Sequence, residues 1–355
     1  MSAWPFSSAE LTAGLRRYFA EPALQVRGWR ERPLPFAHHS DRAAGRVRGL
    51  HVDYAAGPND LSVECVLKEP QGGTPAGLAG AGRREVGLYR SLASQLPMPV
   101  PALVAAHPAG DWLVLETVEA EVAPAAWSAD HYHAAIIALT ALHERFWNLG
   151  DDLAAYPWLA RPVAGDFEVH VHGAARSLAA IIRDQRPALL ADSTETLTTL
   201  GQIISQADRV VEPLRLAPHT LLHGDFWPGN VALQTDGEMV VYGWKLVGVG
   251  PVQLDLVALV TSSRWELGAL PLDEAEILSL YRQELAQRVQ VSWLEDEWAL
   301  LWDHALLWRF VQTMLGWAAD VPLPVFEARA SAFANIWLEP VRAAAGRRLA
   351  PIFTF

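Results

Sequence analysis

Two stretches near the start of this chain, RVRGLHVDYA and LSVECVLK, alternate apolar and polar residues as strands do, and little beyond residue 119 repeats that pattern. The turn-rich AAGPND joins them. In the second, Leu61, Val63, Cys65 and Leu67 share one face, while Val66 and Lys68 share the other. DWLVLETVEA gives a third strand pattern. After it the spacing becomes helical, in HYHAAIIALTALHERFWNL, GAARSLAAIIRDQ and the stretch from Thr194 to Val211. One short hairpin interrupts the helices, with strands at Val231–Leu233 and Met239–Tyr242 around Thr235-Asp236-Gly237. Strands followed by helices, rather than alternating with them, predict an α+β fold.

The remaining signals fit between these elements. Ser7 and Glu10 form a capping box ahead of Leu11, Leu15 and Phe19, which predicts an N-terminal helix. QGGTPAGLAGAG is a glycine-rich loop, RREVGLYRSLASQL a helix, and LPMPVPAL a proline-broken connector. The expected division is residues 1–118, holding the N-terminal helix, sheet and one main helix, and residues 119–355, holding the helices and hairpin.

Composition narrows the partners. A formal net charge of -12 excludes a broad basic face for nucleic acid. With one cysteine, Cys65, no internal disulfide can form. The N-terminal MSAWPFSSAEL lacks the basic region of a secretory signal, so the cytoplasm is the expected location. Asp303, His304 and Arg309 interrupt the longest apolar run, which predicts a buried helix rather than a membrane span. Composition says nothing of oligomeric state.

Chemistry concentrates in HGDFWPGN, residues His223 to Asn230, which has the form H-x-D-x-x-x-x-N. In phosphoryl transfer from a nucleotide, an aspartate at this place accepts the proton of the attacking hydroxyl. An asparagine five positions later ligates Mg²⁺. The tight spacing lets both leave one loop. Asp225 and Asn230, with His223 ahead of them, are therefore the candidate catalytic residues, and Asn230 and Asp225 the candidate metal ligands. Lys68 ends a strand, where such enzymes keep the lysine that grips the α- and β-phosphates. Val66 on the same face would cover adenine, and Glu85 on the next helix would hold Lys68. LVLETV, through the backbone at Glu116 and Val118, is the candidate hinge to the base.

With ALHERFW and GPVQLDLVAL, these residues resemble the aminoglycoside phosphotransferase and choline kinase-like family. The resemblance implies a bilobal protein-kinase-like fold with a small β-rich N-lobe and a larger helical C-lobe. It also implies a phosphotransferase acting on a hydroxyl of a small molecule, with ATP or GTP and Mg²⁺ as cofactors. Gly250 and Asp255 would brace the active-site floor.

The sequence departs from that family at the end of the hairpin. Members usually carry Ile-Asp-Trp-Glu there, and the Asp ligates Mg²⁺. This chain reads Tyr242-Gly243-Trp244-Lys245, so Gly243 takes the metal ligand's place and Lys245 that of the following acid. The expected phosphate-covering segment, HHSDRAAGRV, contains only Gly45. Three arrangements are compatible with these residues. Asp225 and Asn230 hold the metal with waters; Lys245 supplies the positive charge in its place; or the chain is an inactive pseudokinase that binds a nucleotide or small ligand. A rival metal pair, His170 and His172, shares a face only if EVHVHG is extended; no third ligand lies near in sequence, and the flanking residues equally suit the start of a helix. Trp298, Trp302 and Arg309 follow helical spacing and predict core packing.

Overall fold

The computed structural model describes residues 4–34, 45–70, 76–118 and 120–349. The chain divides into two compact units. One comprises Met1–Thr74, Ala79–Ala123 and Gly229–Leu246, and the other Pro75–Leu78, Pro124–Pro228 and Val247–Phe355.

The first unit begins with α1 (Ser8–Tyr18), capped as expected: Glu10 N donates to Ser7 Oγ at 3.2 Å, and Ser7 N donates to the Glu10 carboxylate at 2.8 Å. Five antiparallel strands follow: β1 (Gln25–Arg32), β2 (Gly45–Ala56), β3 (Asn59–Pro70), β4 (Leu103–Ala106) and β5 (Leu113–Glu116), in the order β1-β2-β3-β5-β4. Leu11 and Leu15 of α1 pack on Leu50, Val52, Cys65, Leu67 and Val114, all fully buried. Each such side chain contributes roughly 1.5–3 kcal/mol by leaving water. Burial also pushes the Cys65 thiol up to about 12, which leaves it unreactive. The opposite face of β3 carries Val66 and Lys68, both half-buried. Helix α2 (Ala81–Ser91) follows the glycine-rich loop, whose residues 71–75 lie outside the described residues.

Hairpin strands β7 (Val231–Leu233) and β8 (Met239–Val241) also belong to this unit. Val241 N donates to Pro99 O at 2.9 Å, and Val122 N donates to Leu233 O at 3.1 Å. Here the structure differs from the expected division at residue 118. Backbone hydrogen bonds tie the hairpin to the connector before β4 and the segment after β5.

The second unit holds α3 (Ala129–Arg145), α4 (Phe167–Asp184), α5 (Ala188–Ala191), α6 (Thr194–Ser205) and α7 (Ala207–Leu216). The short pair β6 (His219–Leu222) and β9 (Gly248–Pro251) comes next. Helices α8 (Gln253–Leu267), α9 (Glu274–Val289), α10 (Glu295–Arg309), α11 (Leu315–Asp320), α12 (Leu323–Phe333) and α13 (Glu339–Arg348) complete it. No helix among the described residues is long and apolar enough to cross a membrane.

EVHVHG is helical, not extended, because it opens α4. Residues two apart on a helix point in different directions. His170 is accordingly buried, and His172 exposed. The rival metal pair does not form.

Candidate active site

In the first unit, antiparallel register sets Lys68 opposite Leu113 and Val66 opposite Leu115. Lys68 Nζ meets Glu85 Oε1 of α2 at 2.5 Å. Glu85 is only 1% exposed, so its charge would be costly without that partner. The preceding residue, Arg84, also buried, donates from Nε to Lys245 O and from Nη1 to Ala79 O, both at 2.8 Å. Adjacent residues of α2 thus reach β3 and the end of the hairpin.

Glu116 is committed within this unit. Its amide donates to Ala102 O at 2.9 Å, and its carboxylate accepts from Ala102 N at 3.1 Å and from the Tyr18 hydroxyl at 3.2 Å. These bonds close the sheet between β4 and β5 and engage the Glu116 amide, leaving its carbonyl as the backbone group that the strand end can offer a base. Val118, beyond the strand and half-buried, is the remaining hinge candidate. Of the expected phosphate-covering segment, His38 to Val47, residues 38–44 lie outside the described residues, and Gly45 to Val47 begin β2.

Asn230 and Gly243 meet across the hairpin, where Tyr242 N donates to Asn230 O at 2.9 Å. Gly243 has φ +84°, and a Cβ placed there would lie 2.5 Å from Asn230 Oδ1. The Asn230 amide therefore occupies the space that a side chain at 243 would need. A hard dication prefers carboxylate oxygen, and beside Gly243 stands the neutral amide of Asn230. Among the described residues no cluster of three or more His, Cys, Asp or Glu is suited to a metal. Gly243 brings no side-chain ligand to the place where the resemblance implies one.

In the second unit, the turn at His223 to Asp225 is organised by Asp255 of α8. Asp255 Oδ2 accepts from His223 N and Oδ1 from Gly224 N, both at 2.7 Å. Gly224 has φ +82°, a conformation glycine adopts without strain. His143 Nε2 lies 3.1 Å from Asp255 Oδ2. A carboxylate only accepts, so that nitrogen carries the proton, and Nδ1 of the ring meets the Tyr281 hydroxyl. Burial alone would raise the Asp255 carboxyl. The hydrogen bond from His143, the potentials of His143 and His223 and the Gly224 amide outweigh it, and hold Asp255 below the ordinary carboxylate range.

His223 is fully buried, and its Nδ1 accepts the Asp225 amide at 3.1 Å. It braces the turn from inside. The Asp225 carboxylate keeps 16% of its surface open and faces Arg309 Nη2 of α10 at 3.9 Å.

Sequence reading passed over Tyr281 and the position of Arg309. His143 lay within ALHERFW, but its partner was not legible. Only the charge of Arg309 in an apolar helix marked it.

Comparison with known proteins decides the family. A model of the phosphotransferase enzyme family matches residues 52–288, more than half of the chain. The chain belongs to that family. A search of curated proteins gave no match. Among solved structures, a Ralstonia eutropha JMP134 protein provisionally assigned to the aminoglycoside phosphotransferases is 15% identical, with TM-score 0.58 over 98% of this chain and 100% of that one. The streptomycin–ATP–APH(2'')-IIa ternary complex is 13% identical, with TM-score 0.54 over 96% and 99%. ADP-bound APH(2'')-Ib is 12% identical, with TM-score 0.53 over 94% and 99%. At such identities the likeness establishes the fold, which is α+β and protein-kinase-like.

Proposed function

We propose that this protein transfers the terminal phosphoryl group of ATP or GTP to a hydroxyl of a small molecule. The hydroxyl oxygen attacks the γ-phosphorus, the bond from that phosphorus to the β,γ-bridging oxygen breaks, and the nucleoside diphosphate leaves. Asp225 orients the hydroxyl and takes its proton; His223 and Asp255 position Asp225. Lys68, held by Glu85, meets the α- and β-phosphates, Val66 covers the base, and the backbone near Val118 binds its edge. Neighbours bound to ATP or ADP support a nucleotide donor.

One observation carries the reading: three donors converge on Asp255 and fix the turn that bears Asp225. A decayed catalytic loop has no need of such a costly buried carboxylate. A second reading, a pseudokinase that binds nucleotide without turnover, is favoured by Gly243 and the Asn230 amide packed over it. Turnover of ATP and GTP with a panel of hydroxyl acceptors separates the two. In the first, Asp225→Asn lowers transfer by about 10²–10⁴ while leaving nucleotide affinity unchanged. If the wild type binds nucleotide but transfers to no acceptor, the pseudokinase reading holds.

A further inference from the structure

Three polar residues interrupt the apolar face of α10, and their environments differ. Asp303 accepts from Arg347 at 2.6 Å and from Arg348 at 2.7 Å. His304 Nδ1 donates to Val210 O at 2.8 Å. Arg309 makes no side-chain hydrogen bond among the described residues. Its one ion pair, with Asp225 at 3.9 Å, is longer than a hydrogen bond, yet the side chain is only 9% exposed.

An arginine buried in this way is unusual, because charged groups leave water only when paired and hydrogen-bonded. Burial pulls the guanidinium below its usual range, against the opposing pull of Asp225 and Asp255. Asp255 is already engaged by His143 and two amides. The helix continues from Arg309 into a wide π-helical turn, Phe310–Met314. Single π-helical turns within α-helices are frequent at functional sites.

We infer that Arg309 is the recognition group for an anionic substituent, a carboxylate or phosphate, on the molecule whose hydroxyl meets Asp225. The inference rests on the proposed phosphotransfer and names its acceptor class. The guanidinium offers a planar fork of N–H donors matched to the paired oxygens of either anion. A cationic acceptor would set like charge against a desolvated arginine. The acceptor is therefore a hydroxy acid or a sugar phosphate rather than an aminoglycoside or choline-like amine.

The test is calorimetric binding to the full chain without nucleotide. Acidic probes (glycerate, gluconate, glucose 6-phosphate) are compared with neutral glycerol and glucose and with cationic streptomycin and choline. The expected result is at least one acid binding tenfold or more tighter than its neutral counterpart. Arg309→Met should remove that difference, Arg309→Lys should keep part of it, and Asp225→Asn should not remove it. Arg309→Met should melt no lower than the wild type, because it removes a charge held out of water. The inference fails if the cations bind better than the acids, if no acid exceeds its neutral counterpart, or if acid preference survives in Arg309→Met. A change in kcat and its pH profile without a change in acid preference would make Arg309 a positioning residue for Asp225, and would also overturn it. Phosphoryl transfer is assayed separately. Acid preference without turnover removes the kinase reading and keeps Arg309's role; turnover of streptomycin or choline does the reverse.

Discussion

Each unit buries a carboxylate beside its functional residues, and the two are held by different means. Glu85 in the sheet unit is neutralised by the single flexible ammonium of Lys68. Asp255 in the helical unit is held by two backbone amides and an imidazole that is itself held by Tyr281. Amides fixed by a turn lose no side-chain entropy on bonding, whereas a lysine must be ordered first. The turn bearing Asp225 is thus rigid by construction, and the Lys68–Glu85 pair rests on one contact. The same contrast appears in what departs from the family. His223 and Asp225 keep the motif, and the departures expected from the resemblance fall in the sheet unit, at Gly243 and Lys245 and in the glycine-poor segment from His38 to Val47.

The largest expected effect of breaking that contrast comes from Asp255→Ala. Three donors would lose their acceptor, at about 3–5 kcal/mol, so thermal unfolding should shift downward by many degrees. A pH series sharpens the same point. The Asp255 carboxyl is held below its ordinary value, so its contribution is complete above the ordinary carboxylate range, about pH 4, and is lost as pH falls through the lower folded value. Asp255→Asn should melt lower than the wild type at neutral pH, and the gap should shrink in strong acid. A constant gap would mean that Asp255 stabilises by packing rather than charge.

On the sheet side, Lys68→Ala should weaken ATP or GTP binding at least tenfold, about 1.4 kcal/mol, by calorimetry. It should also lower the melting temperature, because Glu85 is left buried without its partner. Glu85→Gln with Lys68→Ala should recover stability but not affinity. Equal nucleotide binding by Lys68→Ala and wild type would reduce the pair to a structural contact.

The smallest effect is expected from Mg²⁺. Adding it should change nucleotide affinity little, and a strong requirement would reveal a carboxylate ligand not placed here. Gly243→Asp alone should not rebuild the site. Its φ of +84° costs an L-residue about 1–2 kcal/mol, and the new side chain must displace the Asn230 amide. Any gain in Mg²⁺ dependence should need Lys245→Glu as well, and should accompany a lower melting temperature.

Legibility followed the clarity of period. The β2–β3 hairpin and α1 were readable because a face alternates or a cap precedes a helical stripe. QVRGWRER of β1 was not: it is an edge strand with a register shift between Val26 and Gly28, and charged residues on both faces hide its alternation. LVAA of β4 is four residues long and follows prolines, too short for any period to emerge. EVHVHG was open to both an extended stretch and the start of a helix, and it lies inside a helix. At the candidate site, loop residues close in sequence were legible and the resemblance pointed to Asp255, but its meeting with His143 and Tyr281, far apart in the chain, comes only through folding. Arg309 shares helical spacing with Trp298 and Trp302, so apolar patterning alone placed it in the core. That much is true, and it concealed the direction of its charge.

Arg84 gives α2 a mechanical character. Its guanidinium holds the carbonyls of Lys245 and Ala79 while the next residue holds Lys68. Consecutive residues latch the helix to β3 and to the end of the hairpin, so it cannot swing off β3 without also tearing a buried arginine from the Lys245 carbonyl. Protein kinases that are switched by moving the equivalent helix need that motion to be cheap. Here the helix behaves as a fixed strut that holds Glu85 against Lys68. Control of this protein is therefore expected to act through ligand supply rather than helix displacement, and amide exchange along α2 should show a single, slow opening event.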